Sequence, residues 1–415
     1  MKHQTRLGRI ASICLAGCAL SVLTAGAALA QTQVRLLAPA SGSGVGFAAI
    51  AEKFNAAQSD VKVEIQRVPS GESYAQAMFT QLQAGAGADL IFTNAGYGAP
   101  ESMLPLAEAG QLADLTDRAF AAEFPPERVA EYWSDGKLYG LPLSLTNVGL
   151  VYNVDLLAQN GLTPPETFEE LLALCDKAVS LNKSAVGIAG SSPFYFYEAV
   201  AVGTVFVEDP DWSEKRTAGE TTFAGTPGWT AAFERVKTML DRQCFPVGVQ
   251  AITPPQLFAD IAAGNVLMAV GPTTLMGAVV NMNPAITLKM RPFPNDAAER
   301  TAAMSVYNDA LSVNAKSANQ DAAFAFLDYL SQPEQMAEFV KLAGGTAPAD
   351  AAAGAFPPAL EDMVPFYAEG RVHTVPHHAW REPAVRGVLI SSGGAFLAGS
   401  KTAAEFVADL DAAWK

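Results

Sequence analysis

The chain has 415 residues, 42 acidic against 27 basic side chains, and apolar residues at half its positions. That length exceeds one ordinary core, so at least two lobes are expected. The acidic balance excludes nucleic acid as a partner and repels an anionic membrane surface.

At the N-terminus Lys2, Arg6 and Arg9 stand before the apolar run "IASICLAGCALSVLTAGA", which leads into "ALA" ahead of Gln31. Basic flank, apolar stretch and small-residue site together predict an export signal cleaved after Ala30. "LAGC", ending at Cys18, also resembles a lipoprotein box. The apolar stretch before it is short and the one after it is long, which favours cleavage after Ala30. The mature chain then carries 24 basic and 42 acidic residues, a net of about −18. No second long apolar run follows, so no membrane span is expected in the mature part. Cys175 and Cys244 remain there. In an exported chain the two can pair, closing a loop of about seventy residues, or stay as buried thiols.

The predicted elements alternate. "VRLLAPA" reads as a strand, "FAAIAEKFNAA" as an amphipathic helix, and "VKVEIQRV" as a strand with one wet face. A helix over 73–84 and the strand "ADLIFT" complete a β-α-β-α-β run, the pattern of a doubly wound sheet. Further on, Thr167 and Glu170 have the spacing of a capping box. "AVGIAG", "VLMAVGP", "ITLKMRPFP" and "DALSVN" read as later strands, and the last third is helical. "ADAAAGAF" (349–356) reads as a flexible connection.

After the first strand, Gly44-Val45-Gly46-Phe47-Ala48-Ala49 matches G-x-G-x-x-A, the start of a dinucleotide loop. Glu64 has the right distance for the ribose carboxylate but lies inside a strand. An exported chain also reaches a space where nicotinamide cofactors are not supplied. The simpler account is that Ser41, Gly42, Ser43 and Gly44 place small side chains and open N–H groups at a strand's carboxyl end, where ligands of open α/β sheets sit. No cofactor is expected. His373, His377 and His378 do not predict a metal, since proline breaks their spacing and no carboxylate or cysteine lies alongside. The chain contains no G-x-S-x-G or H-E-x-x-H motif, and no carboxylate pair stands out as a glycosidase acid and nucleophile.

From Asp135 to Leu171 the chain resembles the extracellular solute-binding proteins of carbohydrate ABC importers, the maltose-binding-protein-like group. The matching pieces are Gly136-Lys137-Leu138-Tyr139-Gly140-Leu141-Pro142, Tyr152-Asn153-Val154-Asp155-Leu156, and Pro164 to Leu171. "LQAGAGADLIF" (with Ala88 where that group usually has proline), "FADIAAGNVLMAVGP" and "AFAFLDYLSQPEQ" follow in family order over about three hundred residues. The resemblance implies an α/β fold of two lobes, each a central sheet flanked by helices, with the ligand cleft between them. The expected N-lobe is 31–142 plus 306–344 and the C-lobe 146–304 plus 347–415. Crossovers are expected near 141–145, 304–310 and 344–347. The implied protein is a periplasmic monomer that captures a sugar or polyol without chemistry and delivers it to a permease. The alternative is a secreted carbohydrate-active or NAD-dependent enzyme.

A sugar needs aromatic platforms for its ring faces and hydrogen-bonding side chains for its hydroxyls. The resemblance places Ser191, Ser192, Phe194 and Tyr195 in the cleft. Four aromatics in a row, Phe194 to Tyr197, cannot all face a core, so at least one is expected there. Thr93, Asn94 and Tyr97 match a first-lobe sugar loop. Ser144, Thr146 and Asn147 lie at the first crossover, and Tyr307, Asn308 and Asp309 at the second. Trp380 and Arg381 match a C-terminal stretch that bears a cleft aromatic in relatives. Gly271 and Thr273 end a second-lobe strand. For any one of the polar residues taken alone, a capped turn is the better account. Thr93 and the pair Thr273-Thr274 stand where long-oligosaccharide binders carry tryptophan. A mono- or disaccharide or a polyol is therefore expected, with Asp309 and Arg381 leaving room for a charged ligand.

Overall fold

The computed structural model describes residues 31–40, 42–85 and 87–415. The export signal, its cleavage after Ala30, the alternative at Cys18 and the site residue Ser41 lie outside the described residues. Among those described, no helix is long and apolar enough to cross a membrane.

Strand β1 (Thr32–Pro39) pairs in parallel with β2 (Val61–Val68) along its whole length and with β3 (Leu90–Asn94) on its other side. Helices Ser43–Ala57 and Glu72–Gln83 connect them, as the sequence pattern predicts. The glycines of the G-x-G loop serve packing. A Cβ on Gly44 would lie 1.7 Å from the Pro39 carbonyl oxygen, and one on Gly46 would lie 2.6 Å from the Phe339 ring. A short ribbon, β4 (Trp133–Ser134) with β5 (Lys137–Leu138), precedes the long strand β6 (Leu141–Asn153), all thirteen residues of which are buried. Strands β7 (Ser184–Gly187), β8 (Val266–Pro272) and β9 (Leu288–Arg291) follow, then β10 (Ala303–Val313) and β11 (Val372–Thr374). The strand expected over "ITLKMRPFP" is thus only four residues long, because Pro292 and Pro294 cannot donate to a ladder. "DALSVN" is the second half of a longer strand. The stretch expected to be a flexible connection begins inside a short helix, Pro348–Ala352, since alanine favours helix once Pro348 has set the first turn.

One nine-stranded sheet runs through the molecule in the order β2-β1-β3-β10-β6-β8-β7, with β11 on β10 and β9 on β6. Its two middle strands carry it from one lobe to the other. Residues 141–148 of β6 pair with 304–311 of β10, and residues 148–153 pair with β8 and β9. One buried apolar cluster draws on residues between 34 and 145 and between 307 and 347. A second draws on 148–306 and 375–410, and a smaller third, around Val151, Val279 and Met363, lies beside it. The two large clusters part inside β6 and β10, which divides the fold into two lobes. A third strand of chain joins at the same level, where Leu145 and Thr346 exchange backbone hydrogen bonds of 2.8 and 3.0 Å.

The lobes also meet backbone to backbone. Tyr97 N–H donates to the His378 carbonyl at 3.0 Å. A Cβ on Gly96 would lie 1.9 Å from that oxygen, and one on Gly98 would lie 2.1 Å from the His377 carbonyl. Only glycine allows this approach.

The second lobe is built on aromatics. Trp212, Phe223, Trp229, Trp380 and Trp414 have neighbouring ring centroids 4.8–6.5 Å apart. Such pairs each add about 0.5–1.5 kcal/mol beyond burial. Cys175 and Cys244 are bonded to each other, with Cα atoms 4.7 Å apart. The bridge ties helix Phe168–Ser180 to the segment after helix Pro227–Asp241, and Val186 of β7 donates to the Cys244 carbonyl. The capping box closes the first of these helices as its spacing predicts.

Candidate functional site

The face that each crossover side chain takes is set by strand register. Paired residues of adjacent strands share a face, and successive residues alternate. Leu145 is paired with Tyr307, and Ser144 with Asp309. Tyr307 and Asp309 are two apart and would share a face in a regular strand. The register shift between them leaves Asn308 as an extra residue and turns Asp309 to the opposite side. Ser144, Thr146 and Asp309 therefore share one face, while Leu145, Asn147, Ser305 and Tyr307 occupy the other.

Asp309 is the centre of the first face. Its carboxylate accepts from the Ser43 hydroxyl and from the Asn308 amide. Asn94 Nδ2 lies 3.4 Å from the Asn308 carbonyl and 3.5 Å from the carboxylate. Ser43 opens the helix that Gly42 precedes at φ +57°, so small residues let this helix start against the carboxylate. Burial raises the Asp309 pKa, and the bonds from Ser43 and Asn308 only partly offset it. Glu101, whose carbonyl accepts from Asn94 N–H, is half-buried. Its pKa is raised by burial, lowered by Arg386 and raised by Asp309.

The second lobe faces these acids with Tyr195, Phe194 and Arg386. Phe194 and Tyr195 open the helix Phe194–Ala201 with ring centroids 4.2 Å apart. Burial pushes the Tyr195 phenol up to about 12; the Arg386 charge pulls it down, and Glu198, Asp309 and Glu101 push it up. Its hydroxyl thus lies in the field of carboxylates from the other lobe. The Arg386 guanidinium sits 4.2 Å over the Phe194 ring, and its Nε is buried without a hydrogen bond. Sequence reasoning missed Arg386 and Glu101. The one available signal for Arg386 was a cation in the first turn of a helix, Pro383–Leu397, where the helix dipole disfavours it. Ser192 and Gly271 line the second-lobe wall at the ends of β7 and β8. Thr273 opens the next helix with its hydroxyl buried and unpartnered, and Ser191 is exposed with its N–H on the Ile252 carbonyl.

Six of the sequence-derived residues do not join this set. The Thr93 hydroxyl is fully buried, 2.9 Å from the Ser312 hydroxyl. Asn147 accepts from Tyr367 on the opposite face. The Tyr307 hydroxyl, also on that face, accepts from Arg128. Tyr97 donates to Glu108 at 2.7 Å, and Arg381 pairs with the same carboxylate and covers the Tyr97 ring. These two line a separate groove with Trp133 and His373, so Arg381 is not a charge partner of Asp309. Trp380 is wholly enclosed in the second-lobe aromatic core. Its neighbours Trp212, Phe223 and Trp229 leave no ring face for a ligand. A surface cavity of about 1050 Å³ around Tyr152, Pro164, Arg291 and Arg371 shares no residue with the cleft.

Two histidines seal the floor between the lobes. His377 Nδ1 lies 2.9 and 3.0 Å from the Glu198 carboxyl oxygens, and His378 Nδ1 donates to the Ala95 carbonyl at 2.9 Å. Burial holds both imidazoles low, His378 at about 3, and lifts Glu198 to about 8. Burial thus works against an ion pair at the His377–Glu198 contact and toward its neutral, hydrogen-bonded form. Among the described residues, no group of three or more His, Cys, Asp or Glu is placed to hold a metal. An acid whose pKa is raised on folding costs stability as pH climbs from its unfolded value of 4.5 through its folded value. Glu198→Gln is thus expected to flatten the loss of melting temperature between about pH 5 and pH 8, read from thermal melts of both proteins across that range. Parallel curves would contradict it.

A polar cleft at the carboxyl ends of the strands, spanned by two lobes on a shared sheet, is the architecture of a protein that encloses a solute. The profile of bacterial extracellular solute-binding proteins matches residues 38–337, and the chain belongs to that family. A Brucella abortus chain named only as a binding protein is 24% identical over 80% of this chain and 79% of its own length. The melibiose/raffinose/stachyose-binding protein MelE of Bacillus subtilis is 24% identical over 60% of this chain and 57% of its own. Among solved structures, RafE in complex with raffinose superposes with a TM-score of 0.76 at 19% identity, covering 92% of this chain and 99% of that one. A Thermotoga lettingae solute-binding protein bound to α-D-tagatose gives 0.72 at 19% identity, covering 92% and 98%.

Proposed function

We propose that this protein is the exported substrate-binding component of an ABC importer, and that it captures a small carbohydrate or polyol by closing its two lobes. The N-lobe is 31–142 plus 306–344 and the C-lobe 146–304 plus 347–415, joined near 141–145, 304–310 and 344–347. The observation that carries the reading is the convergence of Asp309, Ser43, Asn94 and Glu101 with Tyr195, Phe194 and Arg386 from the facing lobe. Carboxylates and a guanidinium bind pairs of hydroxyls, and the two aromatic rings offer faces for a sugar ring. Relatives named for or bound to raffinose, stachyose and tagatose support the ligand class.

Ligand contacts to both lobes exist only when the cleft is shut, so ligand shifts the balance toward the closed form. Moving that balance from 1:99 to 99:1 takes about 5.5 kcal/mol of differential affinity, within reach of a few charge-assisted hydrogen bonds. A membrane permease then reads the closed shape. The Cys175–Cys244 bridge suits an oxidising compartment such as the periplasm. The glycine loop needs no dinucleotide, since Gly44 and Gly46 are explained by Pro39 and Phe339.

Incubation with a sugar panel tests the reading. A raised melting temperature, one ligand per chain and recovery of the sugar unchanged are expected; product formation with turnover would overturn it. Tyr195→Ala is expected to weaken the same ligand about tenfold with the fold intact, as judged by calorimetry and circular dichroism.

A further inference from the structure

At the carboxyl ends of β7 and β8 the second lobe holds a cavity of about 230 Å³. Ile188, Leu257, Phe258, Val270 and Leu275 form its wall. Among the described residues that line it, Ser192, Tyr195 and Thr274 carry hydroxyls and none is charged. Tyr195 belongs to both spaces. It lines the cavity, and its phenol lies in the field of Asp309 and Glu101. Phe194 also lines the cavity and carries the Arg386 guanidinium 4.2 Å over its ring, so the cavity and the cleft share these two aromatic residues.

We infer, building on the cleft reading above, that this cavity receives an apolar substituent of the bound sugar, such as a deoxy-sugar methyl, an acyl methyl or a short alkyl aglycone, and selects ligands that carry one. Size limits the occupant. Pockets for larger ligands start near 300 Å³, so this one admits a substituent or a single ring rather than a chain of sugars. Polarity sets the preference. A buried water wants two to four polar partners, and these walls supply few, so an apolar group gains affinity by displacing it. Each buried methylene is worth about fourfold in affinity. A hydroxyl forced against the Ile188, Leu257, Val270 and Leu275 side of it, away from the three hydroxyls, is left unpaired, which weakens binding about 5- to 150-fold.

Calorimetry with matched pairs tests this: L-fucose against L-galactose, L-rhamnose against L-mannose, N-acetylglucosamine against glucose, and propyl glucoside against glucose. In the pair whose ring fits the cleft, the apolar member is expected to bind about tenfold tighter or better. Thr274→Phe, which fills the cavity from its exposed rim, should erase that advantage. Phe258→Ala, which enlarges it, should move the preference to longer alkyl aglycones. Hydroxylated members binding as tightly as their partners in every pair would overturn the inference while leaving the cleft reading standing. Absence of any carbohydrate binding in either arm would remove both.

Discussion

Asp309→Asn is expected to weaken the bound sugar about 10- to 100-fold while leaving the empty protein as stable as before, or more so. A hydrogen bond to a charged group contributes about 1.5–3 kcal/mol, roughly the same factor in affinity. Asparagine keeps an acceptor for Ser43 and Asn308 but loses the charge that a pair of sugar hydroxyls would use. The stability half follows from burial. Asp309 has its pKa raised above the ordinary 3.8, so folding favours its neutral form. An acid shifted in this direction costs stability as pH climbs past its unfolded value, and the cost is complete above its folded one. At neutral pH asparagine removes that cost. Calorimetry with the ligand and thermal melts without it check the two halves separately. Unaltered affinity in the variant would take Asp309 out of the site, and a large drop in apo melting temperature would mean that its charge supports the fold.

The second large effect concerns the bridge. Cys175→Ala with Cys244→Ala is expected to lower unfolding free energy by about 4 kcal/mol. The bond spans 69 residues, and closing a loop of that length in the unfolded chain removes entropy of about that magnitude. Both cysteines are fully buried, so a chemical reductant would reach them only after the lobe opens, and the double substitution is the cleaner test. Urea unfolding followed by tryptophan fluorescence suits it, because Trp212, Trp229, Trp380 and Trp414 all pack in this lobe. An unchanged midpoint would mean that the bond constrains nothing the core does not already hold.

Residues that act within their own element were legible from the chain. Thr167 and Glu170 cap a helix because their spacing alone brings side chain to backbone. The β-α-β-α-β order at the N-terminus follows from hydrophobic period, and Ser43 faces the cleft because it starts the helix after β1. Arg386 and Glu101 were not legible. Each becomes a cleft residue only because its partner, from the other lobe, lies more than two hundred and eighty positions away in sequence. Trp380 shows the converse: a tryptophan in the right stretch of a similar sequence, turned by local packing into a core of other tryptophans.

By itself the sequence determined two sheet-bearing lobes, the cysteine pair available to staple one of them, and small polar residues at the strand ends. Period and spacing are short-range properties that a chain carries before it folds. Only the tertiary structure decided which crossover side chains face the cleft. One extra residue, Asn308, in β10 places Asp309 on the cleft face and Tyr307 behind it. That register comes from pairing β10 with β6, whose paired residues are about one hundred and sixty positions away, and no local pattern encodes it.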